Sequence, residues 1–267
     1  MIQDNPIGLF DSGVGGTTIW KEIVAFLPNE NTLFLADNLN APYGQKSKEE
    51  ITRLCEKNTR FLLENQVKIV IVACNTATTN AISYLRNKFE DISFIGIEPA
   101  IKPAALSSVT GKVGVLATKG TLSSELFLKT SYTSAQQTGI QIVERVGEGL
   151  IELIESGRLE SPEMFQLLQE YLLPMVSENI DYLVLGCTHY PYLLPQIQKI
   201  IPPHIRVIDS GYAVARQTHK VLSTQGLLRK ANRSQAVHQW FANGTIEVLQ
   251  QFRPKSNACL NIQKCSF

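Results

Sequence analysis

Short runs of β-branched and other apolar residues alternate along the chain with longer stretches whose apolar positions recur every three or four residues. The first pattern suits a strand buried on both faces, the second an amphipathic helix. Their alternation predicts parallel sheets with crossover helices. The strand-like runs are residues 7–10, 32–35, 68–73, 92–97, 112–116, 140–143, 182–185 and 206–208. Helices with readable ends lie between them. Residues 17–27 carry Ile19, Trp20, Ile23, Val24 and Leu27 on one face and stop at Pro28. Ser47 and Glu50 form a capping box ahead of Ile51, Leu54, Phe61 and Leu62. Ser161-Pro162 places a cap residue before a proline at the first helical turn, and residues 211–223 repeat the helical period through Val214, Thr218, Val221 and Leu222.

The pattern also repeats on a larger scale. Lys68-Ile-Val-Ile-Val-Ala-Cys74-Asn75-Thr76 and Asp181-Tyr-Leu-Val-Leu-Gly-Cys187-Thr188-His189 each read as a buried strand ending in a small residue, a cysteine and a polar pair, with the cysteines 113 positions apart. Upstream, Ile7-Gly8-Leu-Phe matches Val113-Gly114-Val-Leu at an offset of 106. Duplication of one α/β unit explains both, and a unit of this length is an ordinary domain. The expected architecture is two pseudo-symmetric α/β domains, each a mainly parallel sheet flanked by helices, with the active site in the cleft between them. The first would comprise residues 1–98 and 209–267, its last segment returning to pack on it. The second would comprise residues 99–208.

Composition removes several alternatives. At 267 residues, 44% hydrophobic, 18% charged and net +1, the chain is neither disordered nor too small for its own core. No apolar run approaches the roughly 20 residues of a membrane-spanning helix, and no secretory signal is visible, so a cytoplasmic protein without a membrane partner is expected. Five widely spaced cysteines do not make a disulfide framework. The near-neutral total conceals a tail, residues 229–267, with six Lys/Arg (Arg229, Lys230, Arg233, Arg253, Lys255, Lys264) against Glu247 alone. Its charges are scattered and lack an aromatic-rich pattern, so nucleic acid is not an expected partner and the tail reads as solvated or loosely packed.

Chemistry concentrates at the ends of the repeated strands. In open parallel sheets, ligands bind beyond the carboxyl ends of the strands, where helix N-termini offer free N–H groups. A thiol there can be acidified by the helix dipole and nearby donors. A redox pair is usually close in sequence, a metal needs three or four ligands, and a nucleophilic hydrolase leaves its second cysteine unexplained. Opposed thiol and thiolate suit removal of a proton from one face of a carbon and delivery to the other. The glycine-rich turn Asp11-Ser12-Gly13-Val14-Gly15-Gly16 could bring backbone close to an anionic group, though it lacks the features of a nucleotide loop. Ala41-Pro42-Tyr43-Gly44 forms a further turn. Cys55 reads as core, Cys259 and Cys265 as free surface thiols, and His204, His219 and His238 as surface or satisfied residues.

Asp11-Ser12-Gly13-Val14-Gly15-Gly16, Pro42-Tyr43-Gly44, Cys74-Asn75-Thr76-Ala77 and Gly186-Cys187-Thr188-His189-Tyr190-Pro191 together resemble, in order, the motif set of the glutamate racemases. The resemblance spans roughly residues 5–225, and the Asp-Ser-Gly-x-Gly-Gly turn favours the glutamate branch of the wider aspartate/glutamate racemase superfamily. It implies cofactor-independent, two-base racemisation of glutamate, with Cys74 and Cys187 as acid/base thiols, Asp11 assisting Cys74 and His189 assisting Cys187. Asp11, Ser12, Tyr43, Gly44, Asn75, Thr76, Thr188 and His189 are the implied substrate-binding residues, with no cofactor and no metal. An acid at Asp37 and another at Glu152 or Glu155 are also implied, as are a homodimer and supply of D-glutamate for the cell wall. The alternatives are a racemase of another acidic amino acid, such as aspartate, and a two-domain protein that binds an amino acid without turning it over.

Overall fold

The computed structural model describes residues 2–231, 234–255 and 259–267. The chain divides into two compact units, Met1–Ile97 with Gly211–Phe267, and Glu98–Ser210. The first contains β1 (Ile7–Asp11), α1 (Gly16–Phe26), β2 (Thr32–Ala36), α2 (Lys48–Glu64), β3 (Ile69–Val72), α3 (Asn75–Lys88) and β4 (Phe94–Gly96). The second contains α4 (Ile101–Ser107), β5 (Lys112–Ala117), α5 (Lys119–Leu122), α6 (Glu125–Thr138), β6 (Gln141–Val146), α7 (Leu150–Glu155), α8 (Pro162–Ser177), β7 (Tyr182–Gly186), α9 (Leu194–Ile200) and β8 (Arg206–Ile208). The chain then returns to the first unit with α10 (Gly211–Thr224), β9 (His238–Ala242), α11 (Glu247–Gln251) and β10 (Leu260–Lys264).

Every strand pair is parallel, as the unbroken apolar runs require. The first sheet has the order β10-β9-β2-β1-β3-β4 and the second β6-β5-β7-β8. Strand for strand, β2-β1-β3-β4 corresponds to β6-β5-β7-β8. The match extends to single residues. Gln66 and Asn179 both adopt positive φ, 56° and 61°, ahead of β3 and β7. The next residues, Val67 and Ile180, sit where a Cβ on Gly8 or Gly114 would lie, 2.8 and 2.7 Å from their nearest side-chain atoms. Glycine at these two strand positions therefore answers close packing rather than a turn.

The cap residues read from sequence form, although the Glu50 carboxylate pairs with Lys46 instead of closing the box on Ser47. Ser47 Oγ accepts from Glu50 N–H at the start of α2, and Ser161 Oγ accepts from Met164 N–H at the start of α8. Cys55 is fully buried, as its helix-face position suggested, while His204 and His219 are exposed.

The tail departs from expectation. It is not loosely packed, because β9 and β10 extend the first sheet beyond β2. Trp240 on β9 is fully buried and meets Trp20 edge to face, with ring centroids 4.8 Å apart. His238 is buried beside Thr32, its Nδ1 2.9 Å from Thr32 Oγ1. Arg229, counted among the scattered charges, is also buried, with its guanidinium held by Asp4, Asn29 O and Ser234. Its main-chain N–H donates to Glu30, which forms a buried ion pair with Lys68. Cys259 and Cys265 are half-buried rather than open surface thiols. Arg233 lies outside the described residues.

Candidate active site

Both repeated cysteines emerge at the C-terminal edge of a central strand, beside the strand from which the crossovers diverge. In sheet one, β1 lies between β2 and β3; in sheet two, β5 lies between β6 and β7. That is the switch point at which open α/β sheets bind ligands. Cys74 and Cys187 belong to different units.

In the first unit, Cys74 is the N-cap of α3, and its Sγ accepts from Ala77 N–H at 3.4 Å. The fourteen-residue helix brings its positive end to the sulfur. The thiol also donates to Ser12 Oγ at 3.6 Å, and Ser12 Oγ makes a long contact of 3.5 Å with Asp11 Oδ1. Asp11 ends β1, is fully buried, and accepts from Gly13 N–H at 2.8 Å. The glycine turn thus folds back onto the carboxylate and links it to Cys74 through a hydroxyl.

Asn75, the first residue of α3, is 3% exposed, yet neither its side-chain nitrogen nor its oxygen has a hydrogen-bond partner. An amide buried this way costs about 1–3 kcal/mol for each unmet group, so it marks a place where a polar ligand would supply the missing partners. Thr76 is buried beside it, and its carbonyl accepts from Asn80 Nδ2 at 2.9 Å.

The Pro42-Tyr43-Gly44 turn lies at the end of β2. Tyr43 is 1% exposed and its hydroxyl donates to Asp37, while Gly44 is half-buried. Burial, with the charges of Cys55 and Asp37 nearby, holds the Tyr43 hydroxyl well above its ordinary pKa. Burial likewise pushes the Cys55 thiol well up, reinforced by Cys74 and Asp37. Asn58, from the apolar face of α2, donates to both the Tyr43 hydroxyl at 3.2 Å and Asp37 at 3.4 Å. The sequence reading missed it. Its signal was a polar residue at helical spacing among Ile51, Leu54, Cys55 and Leu62, all of them buried.

In the second unit, Cys187 follows β7 but does not cap an α-helix. A short 3-10 turn, Tyr190–Leu193, comes next, so the expected parallel with Cys74 at a helix N-terminus fails. Two prolines, Pro191 and Pro195, fall in the segment that a long helix would occupy. The sulfur has a side-chain neighbour instead, since His189 Nδ1 lies 3.7 Å away and His189 Nε2 lies 2.6 Å from Glu155 Oε1. Of the two acids considered for this segment, Glu155 meets the histidine. Burial opposes a charged imidazole here, but hydrogen bonds with Cys187 and Glu155 overcome it and raise the His189 pKa well above the ordinary value. Thr188 is buried between Cys187 and His189 in sequence.

Thr118, which follows β5 and caps α5, occupies the place that Ser12 holds after β1, by the same 106-residue offset as the glycines. It is buried, and its Oγ1 donates to Thr121 Oγ1 at 3.0 Å. The offset alone would have found it. No group of three or more His, Cys, Asp or Glu that could hold a metal ion occurs among the described residues, and none of their helices is long and apolar enough to cross a membrane.

Comparison with known proteins places these features in context. The model of the Asp/Glu/Hydantoin racemase family matches residues 14–218. A glutamate racemase of Herpetosiphon aurantiacus is 44% identical over 243 residues, covering 91% of this chain and 94% of that one. A glutamate racemase of Pseudomonas aeruginosa is 41% identical over 253 residues, covering 95% and 94%. Among solved structures, the glutamate racemase isoform RacE1 from Bacillus anthracis superposes with a TM-score of 0.86 at 29% identity, covering 99% of this chain and 98% of that one. Escherichia coli glutamate racemase, crystallised with L-glutamate and the activator UDP-MurNAc-ala, gives 0.83 at 31% identity, covering 97% and 98%.

Proposed function

We propose, from the premise that the chain belongs to the Asp/Glu/Hydantoin racemase family, that it interconverts L- and D-glutamate by a two-base mechanism. The observation that carries the reading is the duplicated thiol, with Cys74 and Cys187 ending corresponding strands of a repeated topology, each beside a path to a carboxylate. A binding protein has no need of two such thiols. Relatives at 41% and 44% identity, named for glutamate, support the choice of substrate.

Inversion at Cα requires a proton to leave one face and another to arrive at the opposite face. We assign Cys74 and Cys187 these two roles. In one direction Cys74, as thiolate, takes the α-proton while the Cys187 thiol donates its own to the other face; the reverse reaction exchanges the roles. The productive enzyme holds one thiol and one thiolate. Asp11 assists Cys74 through Ser12. His189, kept protonated by Glu155, stabilises the thiolate of Cys187. The carbanion-like transition state is stabilised by N–H donors at the start of α3 and by the Asn75 amide, whose unmet groups suit an α-amino acid. Ser12, Thr76, Thr188 and the Tyr43–Gly44 turn complete the binding set. The reading carries with it a cytoplasmic homodimer that supplies D-glutamate for peptidoglycan.

Incubation with L-glutamate in D2O tests the proposal. Loss of the α-proton NMR signal with appearance of D-glutamate is the expected result. Exchange with aspartate alone would replace the substrate, and no exchange with either acid would sink the enzymatic reading. Light scattering in solution tests the dimer.

A further inference from the structure

The mechanism leaves the C-terminal segment without a role, yet one of its side chains reaches the candidate site. Asn243 directly follows β9, where Ala36 and Ala242 are paired across the ladder. Its Nδ2 donates to Asp37 Oδ1, and its own Oδ1 accepts from Leu39 N–H at 3.0 Å. Around this contact the two chain segments interlock. Gly244 N–H donates to Asn38 Oδ1 at 2.8 Å, and Asn38 Nδ2 donates to Thr245 O at 2.6 Å. A Cβ on Gly244 would stand 2.8 Å from Asn38 Oδ1, so the approach depends on glycine.

Asp37 is fully buried, and both of its oxygens are in use. Oδ1 accepts from Asn40 and Asn243, with Lys57 Nζ at 3.9 Å; Oδ2 accepts from Tyr43 and Asn58. The Tyr43 hydroxyl donates to Asp37 and accepts from Asn58, so it is committed inward. What the Tyr43–Gly44 turn can offer a ligand is its backbone, and the position of that backbone follows from where Asp37 is held.

We propose that Asn243 is a positioning residue for the Tyr43–Gly44 turn, acting through Asp37 and Leu39. This rests on the reading of that turn as part of the glutamate site. It gives the last strands of the first sheet a function beyond closing the sheet edge, since they carry a donor to the loop that receives the substrate.

Three variants test it with steady-state kinetics, active-site titration and thermal melting. Asn243→Asp keeps the size and the acceptor for Leu39 but sets a carboxylate against Asp37. KM for glutamate should rise about tenfold, the equivalent of about 1.4 kcal/mol, with kcat within about threefold. Adding Asp37→Asn to Asn243→Asp removes the like-charge contact and restores one donor–acceptor pair with its direction reversed, at the cost of the acceptor for Asn40, and should recover part of that KM. Asn243→Ala introduces no charge and should raise KM at least threefold, which keeps the test open if Asn243→Asp does not fold. A purely structural role would lower the melting temperature and the active fraction while leaving KM alone. KM within twofold of the parent in the folded single variants, or no recovery in the double variant, overturns the proposal. Absence of glutamate turnover in the parent chain would instead overturn the functional reading, and this proposal with it.

Discussion

Replacing Glu155 by Gln removes one charge from the Cys187 half of the site while preserving shape. The Gln oxygen can still accept from His189 Nε2, now 2.6 Å from the Glu155 carboxylate. His189 is 1% exposed and the Glu155 side chain 16%, so solvent screens the interaction little. A hydrogen bond to a charged partner contributes about 1.5–3 kcal/mol and a neutral one about 0.5–1.5, so the change withdraws about 1–1.5 kcal/mol of support from the imidazolium beside Cys187, roughly a five- to tenfold factor. Racemisation should fall by that factor. The deficit should appear in isotope exchange from the enantiomer for which Cys187 is the base, more than from its mirror image. Stability gives an independent reading. Because the folded His189 pKa is raised, protonation stabilises the fold below the ordinary histidine value, and that contribution is lost as pH rises through the raised folded value. The parent should therefore exceed Glu155→Gln in stability most on the acid side of that window, and the gap should close at its alkaline end. Urea unfolding across pH, with the imidazole protons followed by NMR, measures both. An unchanged His189 titration in the variant, or equal loss of exchange from both enantiomers, would refute the argument.

Other perturbations probe different parts of the molecule. Asn75→Ala removes an amide whose buried groups have no partner in the free protein, so stability should hold or rise, by about 1–3 kcal/mol, while KM for glutamate rises at least tenfold; unaltered KM would remove Asn75 from the site. Lys68→Met leaves Glu30 buried without its ion-pair partner and strands the carbonyls of Gln3 and Leu227, costing about 3–5 kcal/mol in urea unfolding; a loss below 1 kcal/mol would contradict that account. Gly16→Ala would place a Cβ 2.5 Å from Asp11 Cβ and 2.7 Å from Phe34, costing about 1–3 kcal/mol and moving Asp11 away from Ser12; a variant with parental melting temperature and parental turnover would show that the turn can give.

Most of the central architecture was legible because parallel strands buried on both faces must be continuously apolar. β1 to β5, β7 and β8 fall within two residues of the runs read from sequence, whereas β6 ends three residues later. β9 and β10 escaped because they lie at the growing edge of the sheet. His238-Gln-Trp-Phe-Ala242 alternates buried and half-buried positions, and Leu260–Lys264 buries little beyond Leu260, so neither gives an unbroken apolar run. The basic residues misled for a related reason. Arg229 is charged yet buried, because Asp4 and the Asn29 carbonyl meet it from distant parts of the chain, and no local pattern records such partners.

The site divides along the same line. The thiols, Asp11, Asn75 and His189 sit at strand ends in short motifs, so their placement could be read locally. Glu155, Asn58 and Asn243 act through contacts made 34, 21 and 206 positions away, where only packing decides the partner. The duplication sharpens the contrast. Both halves keep the strand order, the glycine that admits Val67 or Ile180, and a cysteine at the end of the third strand. The means of supporting that cysteine diverged. Cys74 has a helix N-terminus and a hydroxyl leading to Asp11; Cys187 lacks the helix and has a histidine held by Glu155. A reaction between mirror images asks the two bases to be comparable in strength, not identical in construction. A scaffold copied once can therefore retain its symmetry where strands pack and lose it where protons are held, provided each half still presents a thiol whose ionised form is stabilised.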